Sequence, residues 1–289
     1  MRYLDPKADL TFKKIFGEHK DLLISLLNAL LPLADDEQIE SVEYLSPELV
    51  PETYVGKNSI VDVRCRDVKG RQFIVEMQNA YQTFFKDRSL YYATFPIREQ
   101  AEKGDVWNYQ LKHVYVVALL NYEMSDPAFS TESINHDIGL LDKQTHRVFN
   151  DKLTFKYVEI SKFNKSLEEL ETNYDKWLYV LRNLSRLDSQ PDYLRNEIFN
   201  RLFSEAEIAQ FSKVELREYE DSLKAYRDIK NSLDTAKAEG RAEGLVEGRA
   251  EGRSETLVEV AKNLLSIGTP IDSIMKATGM TEEEIKCLM

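Results

Sequence analysis

The sequence predicts an α/β (α+β) fold, a mixed central β-sheet flanked by helices and followed by an α-helical C-terminal region. Three observations carry this expectation. Two arms rich in β-branched and aromatic residues, Ser59 to Asp67 and Arg71 to Gln78, flank a Lys69-Gly70 breaker and read as a β-hairpin. Further on, Val114 to Leu120 is a continuous apolar run, as in a strand buried on both faces. From about Ser166 charged residues become dense, and Leu167, Leu170, Tyr174, Trp177, Leu178 and Leu181 keep helical spacing.

Each element has a local reason. Asp9 is a capping residue ahead of Phe12, Ile15 and Phe16, one helical face, with a break expected at Gly17. Lys20 to Leu31 is a second helix ended by Pro32. A strand is expected over Ile39 to Leu45, and a loop through Pro51 to Lys57. After the hairpin, Gln82 to Lys103 reads as a long helix ended by Gly104, with Pro96 kinking or breaking it near Thr94. Tyr91 and Tyr92 on that helix read as core or cleft wall. Arg147 to Phe149 and Leu153 to Ile160 are further strands that extend or flank the sheet, and Ile198, Leu202 and Phe203 mark a later helix. These elements suggest three regions: a core over 1–163, a helical region over 164–235, and a repeat helix with a small helical tail over 236–289.

Between Ala238 and Arg253 a Glu-Gly pair recurs every four residues, placing Gly240, Gly244, Gly248 and Gly252 near one helical stripe. Glycine inside a helix costs about 1 kcal/mol relative to alanine. Two readings stay open, a close helix-helix contact that makes this a self-association segment, or a weakly helical soluble linker. Thr256 to Met289 resembles three short helices, the last opened by a capping box at Thr281 and Glu284. A helix-turn-helix reading for DNA is disfavoured, because three glutamates start that last helix.

Parity places the chemistry. A three-residue loop, Val68 to Gly70, with Gly70 left-handed, sets Val63 against Val75, Cys65 against Phe73 and Val61 against Met77 on an apolar face. Asp62 then lies opposite Glu76 on the other face, with Gln78 one step along. Facing carboxylates repel by up to ~1 kcal/mol, so a hard divalent cation between them is the economical expectation.

Composition bounds the alternatives. The chain has 289 residues, 43% hydrophobic and 10% aromatic, enough for a sizeable core. Two distant cysteines, Cys65 and Cys287, fit a reducing compartment, and four scattered histidines offer no zinc-ligand spacing. No apolar run is long enough to span a bilayer, and Asp5, Lys7 and Asp9 fall where a signal peptide would be apolar. A cytoplasmic protein is expected. The net charge of -12 argues against a broadly basic surface for nucleic acid. Lys13, Lys14, Arg64, Arg66, Lys69, Arg71, Lys86 and Arg88 offer a local basic path, although on composition alone they read as ordinary solvated charges.

Taken together, the Asp9 to Phe16 segment, Asp62, Ile74-Val75-Glu76-Met77-Gln78, Arg88-Ser89-Leu90-Tyr91-Tyr92, the Val114 to Leu120 strand and the Glu-Gly repeats resemble the PD-(D/E)XK nuclease superfamily. More specifically, they resemble its recombination-promoting nuclease and transposase family. The resemblance implies a restriction-endonuclease-like core that hydrolyses DNA phosphodiester bonds with Mg2+, manganese being the other candidate. It makes Asp62 and Glu76 metal ligands, Asp9 an auxiliary acid for metal or water, and Gln78 a departure from the superfamily's lysine. Lys13 and Arg88 are the expected substrate-binding cations. The competing expectations are a catalytically weak DNA-binding assembly protein, oligomeric through the C-terminal Glu-Gly helix, a nuclease directed at foreign DNA, and a purely structural scaffold. The opposed acids count against the scaffold.

Overall fold

The computed structural model describes residues 2–49, 59–101 and 108–289. Contacts divide the chain into two compact units, Met1–Arg227 and Asp228–Met289. In the first, the helices are α1 (Asp9–Glu18), α2 (Lys20–Leu30), α3 (Phe85–Arg98), α4 (Asn173–Asn183), α5 (Glu197–Glu205) and the start of α6 (Lys213–Ser266). The strands are β1 (Val42–Tyr44), β2 (Glu48–Leu49), β3 (Ser59–Ile60), β4 (Val63–Asp67), β5 (Gln72–Gln78), β6 (Val114–Leu120), β7 (Asn135–Leu141) and β8 (Val148–Glu159). Six of them form one mixed sheet in the order β1-β4-β5-β6-β8-β7, while β2 and β3 pair separately.

The parallel pairing of β5, β6 and β8 brings the ends at Gln78, Leu120 and Glu159 to one edge of the sheet. A chain leaving β5 must cross over to enter β6 in parallel, and α3 lies in that crossover. Side-chain alternation then gives the sheet two apolar faces. Val63, Cys65, Phe73, Val75, Tyr115 and Val117 join α1, α2, α4 and α5 through residues such as Phe12, Leu26, Trp177 and Phe199. On the opposite face, Ile74, Val114 and Val116 pack against Tyr92, Ala93 and Phe95 of α3. Helices beyond position 163 therefore share the sheet's own core, and the boundary expected there falls inside the first unit.

The hairpin loop forms as parity requires. The Asp67 N–H donates to the Arg71 carbonyl at 3.0 Å, and the Gly70 N–H donates to the Asp67 carbonyl at 3.0 Å. Gly70 has φ +81°, and a Cβ there would also press on Lys112 Cγ at 3.3 Å. Val63 faces Val75 and Cys65 faces Phe73. The first arm, however, is not continuous from Ser59. Ser59–Ile60 pairs with Glu48–Leu49, and the main ladder starts at Val63, so Val61 and Met77 do not pair. The reason lies in hydrogen bonding. The Val61 N–H donates to the Pro47 carbonyl at 3.0 Å, and the Met77 N–H donates to Asp62 Oδ2 at 2.7 Å. A carboxylate has taken the place of a ladder acceptor.

Other differences are local. Ala8, not Asp9, is the N-cap of α1, and the helix passes through Gly17 to Glu18. α3 spans Phe85–Arg98 rather than 82–103 and continues through Pro96, near its C-terminal end; Gly104 and the loop from Pro51 to Lys57 lie outside the described residues. The strand expected over Ile39 to Leu45 is only Val42–Tyr44. The two runs after Arg147 are one strand, β8, and its neighbour β7 was not anticipated. β7 is mostly exposed and bulges against β8 at Gly139–Leu141, so it lacks an alternating apolar signature.

In the second unit α6 carries the Glu-Gly repeats, and α7 (Ile271–Thr278) and α8 (Glu282–Lys286) follow. The first of the three expected tail helices is thus the end of α6. Ala261, Ile274 and Ile285 form a small core, and Thr281 and Glu284 make the expected capping box. Gly240, Gly244, Gly248 and Gly252 have nothing within 4 Å of where a Cβ would stand.

Candidate active site

At the end of β5 the fold gathers every singled-out residue. β5 presents Glu76 and Gln78, the interrupted strand entry presents Asp62, α1 presents Asp9 and Lys13, and α3 presents Arg88. Asp9 and Lys13 stand one helical turn apart, so the Lys13 ammonium reaches Asp9 Oδ1 at 2.7 Å and lies 3.7 Å from Asp62 Oδ1. Lysine thus bridges two acids of the set.

Asp62 and Glu76 are locked by backbone and side-chain donors. Asp62 Oδ2 accepts from the Met77 N–H, and the Asp62 N–H in turn donates to Glu76 Oε1 at 3.2 Å. Gln78 Nε2 donates to Glu76 Oε2 at 2.8 Å, and Gln78 Oε1 accepts from Arg88 Nη2 at 2.7 Å. Arg88 also donates to Gln82, which ties the turn after β5 to the site. Arg88 Nη2 stays 4.0 Å from Glu76 Oε2. The amide of Gln78 therefore stands between cation and acid, where a lysine would carry its own charge. Gln82 was not foreseen, since a polar residue in a turn carries no signal of its partner.

Electrostatics follow from burial. Only 5% of the Glu76 side chain and 14% of that of Asp62 is exposed. Burial pushes both carboxyls well above the ordinary range, and for Glu76 the nearby charge of Asp62 adds to it. Lys13 and Arg88 act in the opposite direction, at distances too long to offset burial. Buried carboxyls of this kind favour the proton unless positive charge arrives, a signature of functional sites.

The same pair suits a hard divalent cation. Magnesium takes one or two carboxylates and leaves its remaining positions to water and substrate phosphate. Among the described residues no group of three or more His, Cys, Asp or Glu side chains is arranged for a metal. Asp62 and Glu76 would accordingly act as a pair, with Asp9 engaged by Lys13.

Of the basic path suggested by sequence, Lys13 and Arg88 have their acidic partners within the site, Lys13 at Asp9 and Asp62 and Arg88 near Glu76, and the other six pair with acids outside it. Arg64 pairs with Glu99, Arg66 with Glu43, Lys69 and Arg71 with Glu37, Lys14 with Glu215 and Lys86 with Asp126. Tyr92 is buried beside the site, whereas Tyr91 is 39% exposed.

A mixed sheet with helices on both faces, and an Asp opposed to a Glu-x-Gln at the end of a central strand, define a PD-(D/E)XK nuclease fold. The family comparison narrows this: residues 6–236 match the PD-(D/E)XK nuclease family transposase, and the chain belongs to that family. The family points to nuclease or transposase-like function. Comparisons with curated proteins and with solved structures return no match. No helix among the described residues is long and apolar enough to cross a membrane.

Proposed function

We propose that this protein is a divalent-metal-dependent DNA endonuclease whose cleavage promotes recombination or transposition-like events. The observation that carries the reading is the Asp62–Glu76 pair, held at the end of the central strand β5 between Lys13 and Arg88. Asp62 and Glu76 would hold magnesium or manganese, which when bound supplies charge to polarise a scissile phosphate and makes water more acidic.

The chain's own groups set the geometry for this chemistry. The Met77 N–H fixes the rotamer of Asp62, and the Asp62 N–H with Gln78 fixes that of Glu76. Glutamine cannot carry a charge, so Gln78 orients a neighbouring water or acid by hydrogen bonds alone. Lys13, anchored by Asp9, and Arg88, anchored by Gln78 and Gln82, offer positive charge to a phosphate whose negative charge grows during in-line displacement. Asp9 is thus the positioning residue of Lys13.

A second reading, a catalytically weak DNA-binding assembly protein, draws on α6. Its four repeat glycines leave an open stripe that a second copy of the helix could approach closely, and self-association through this segment is part of the proposal. A reducing cytoplasm, where Cys65 and Cys287 remain free thiols, is the setting proposed. A nuclease acting against foreign DNA would use the same residues. The experiment that tests the main reading is incubation of the full chain with supercoiled plasmid in magnesium or manganese. Conversion to nicked or linear DNA supports it, and no conversion with either ion removes it.

A further inference from the structure

The turn and helix that deliver Arg88 to the site also carry exposed aromatic rings. Phe84 is 74% exposed, Tyr81 43% and Tyr91 39%. A scattered exposed aromatic is ordinary, but a group of them beside a charged site points to a ligand. The Arg88 N–H donates to the Phe84 carbonyl at 2.9 Å, so Phe84 stands one turn before Arg88, and Tyr91 follows almost one turn after it. Phe84, the residue that caps α3, therefore lines up with Arg88 and Tyr91 over about 10 Å along the axis, and Asp87, exposed between Phe84 and Tyr91, is the one acid in that span of the chain. Lys86, off this line, is neutralised by Asp126. Tyr81 sits in the preceding turn with its ring edge-on to Tyr122, and Arg88 also hydrogen-bonds Gln82 in that turn, which ties the aromatic segment to Gln78 and Glu76.

We infer that Phe84, with Tyr81 and Tyr91, is a stacking platform for unpaired bases of the strand being cut, so that the preferred substrate is single-stranded or locally opened DNA. This rests on the nuclease reading of the adjacent site. Bases inside an intact duplex have their faces covered by neighbours, and opening them costs a few kcal/mol, so exposed rings favour a strand whose bases are already free. Arg88 complements the phosphate while the flanking rings take the bases, the combination of cationic track and aromatic faces that single-strand binding uses.

The test is fluorescence titration of the full chain with short DNA containing 2-aminopurine, single-stranded or annealed, in EDTA so that no cutting intervenes. Tighter binding and stronger quenching on the single strand are expected. Phe84→Ala should weaken single-strand binding about tenfold, in the range of one base stack, and Phe84→Trp should retain it. Phe84 is on the surface, and unchanged far-UV circular dichroism verifies the fold of each variant. Equal affinity for both DNA forms, or a Phe84→Ala variant that binds as tightly as the parent, overturns the platform alone. Tighter binding to RNA of the same sequence overturns the assignment to DNA. Failure to bind any DNA would instead remove the nuclease reading beneath it.

Discussion

Replacing Asp62 with asparagine separates the site's electrostatic role from its structural one. Asparagine keeps an oxygen to accept the Met77 N–H and removes the charge opposed to Glu76. Removing a like-charge cross-strand pair releases up to ~1 kcal/mol, and relieving a buried charge adds about 1.4 kcal/mol for each pKa unit of upward shift. Against this stands the lost attraction of Lys13 at 3.7 Å, discounted to about 0.5 kcal/mol because that lysine is 41% exposed. With the Asp62 carboxyl raised to about 6, the net expectation in EDTA at pH 8 is a gain of up to about 3 kcal/mol, or roughly 6–12 °C in Tm for a domain of this size. The pH dependence has a definite sign. Both carboxyls have raised folded-state pKa values, so their favourable protonated state is fully present below the unfolded pKa, near 4. Stability is then lost as pH rises through the raised values. The variant's advantage should accordingly vanish near pH 4 and grow towards pH 8. Magnesium should raise the parent's Tm, by the equivalent of about 2.7 kcal/mol at a hundredfold excess over Kd, and the variant's far less. Differential scanning fluorimetry across this pH range, with and without magnesium, reads both effects. An Asp62→Asn protein less stable than the parent by the same margin at every pH would refute the reasoning.

Two further outcomes follow from specific contacts. Gln78→Lys should lower plasmid cleavage at least about tenfold, because the new ammonium would face Arg88 Nη2, which now lies 2.7 Å from Gln78 Oε1; a Gln78→Lys variant as active as the parent would show that the amide bridge is dispensable. Truncation after Thr235 removes the four repeat glycines and should lower the oligomeric mass by light scattering, whereas an unchanged mass would remove self-association through α6.

Much of this architecture was legible because it rests on periodicity. Val114 to Leu120, a short β-branched apolar run, has the mark of a strand covered on both faces, and Gly70 fixed the loop from which the Val63–Val75 register follows. The same parity set Asp62 beside Glu76. What parity could not show was that Asp62 breaks the ladder, since a side chain that replaces a backbone acceptor leaves no mark on the apolar pattern. β7 escaped for a related reason. An exposed edge strand with a bulge is held by backbone bonds to β8 and needs no alternation. The excess of basic residues around the hairpin was a composition signal only, and acids distant in sequence, such as Glu99 at Arg64, cancel most of it. Arg88 and Lys13 remain because α3 and α1 aim them at the same strand end.

The most direct test of the account is the cleavage rate of supercoiled plasmid by the full chain in magnesium, beside Asp62→Ala and Glu76→Ala with their folds verified. The account predicts metal-dependent cutting by the parent and a loss of at least about a hundredfold in each variant, as expected when charge stabilisation at the reacting phosphate is removed. Equal cutting by all three proteins, or cutting unaffected by EDTA, would contradict it.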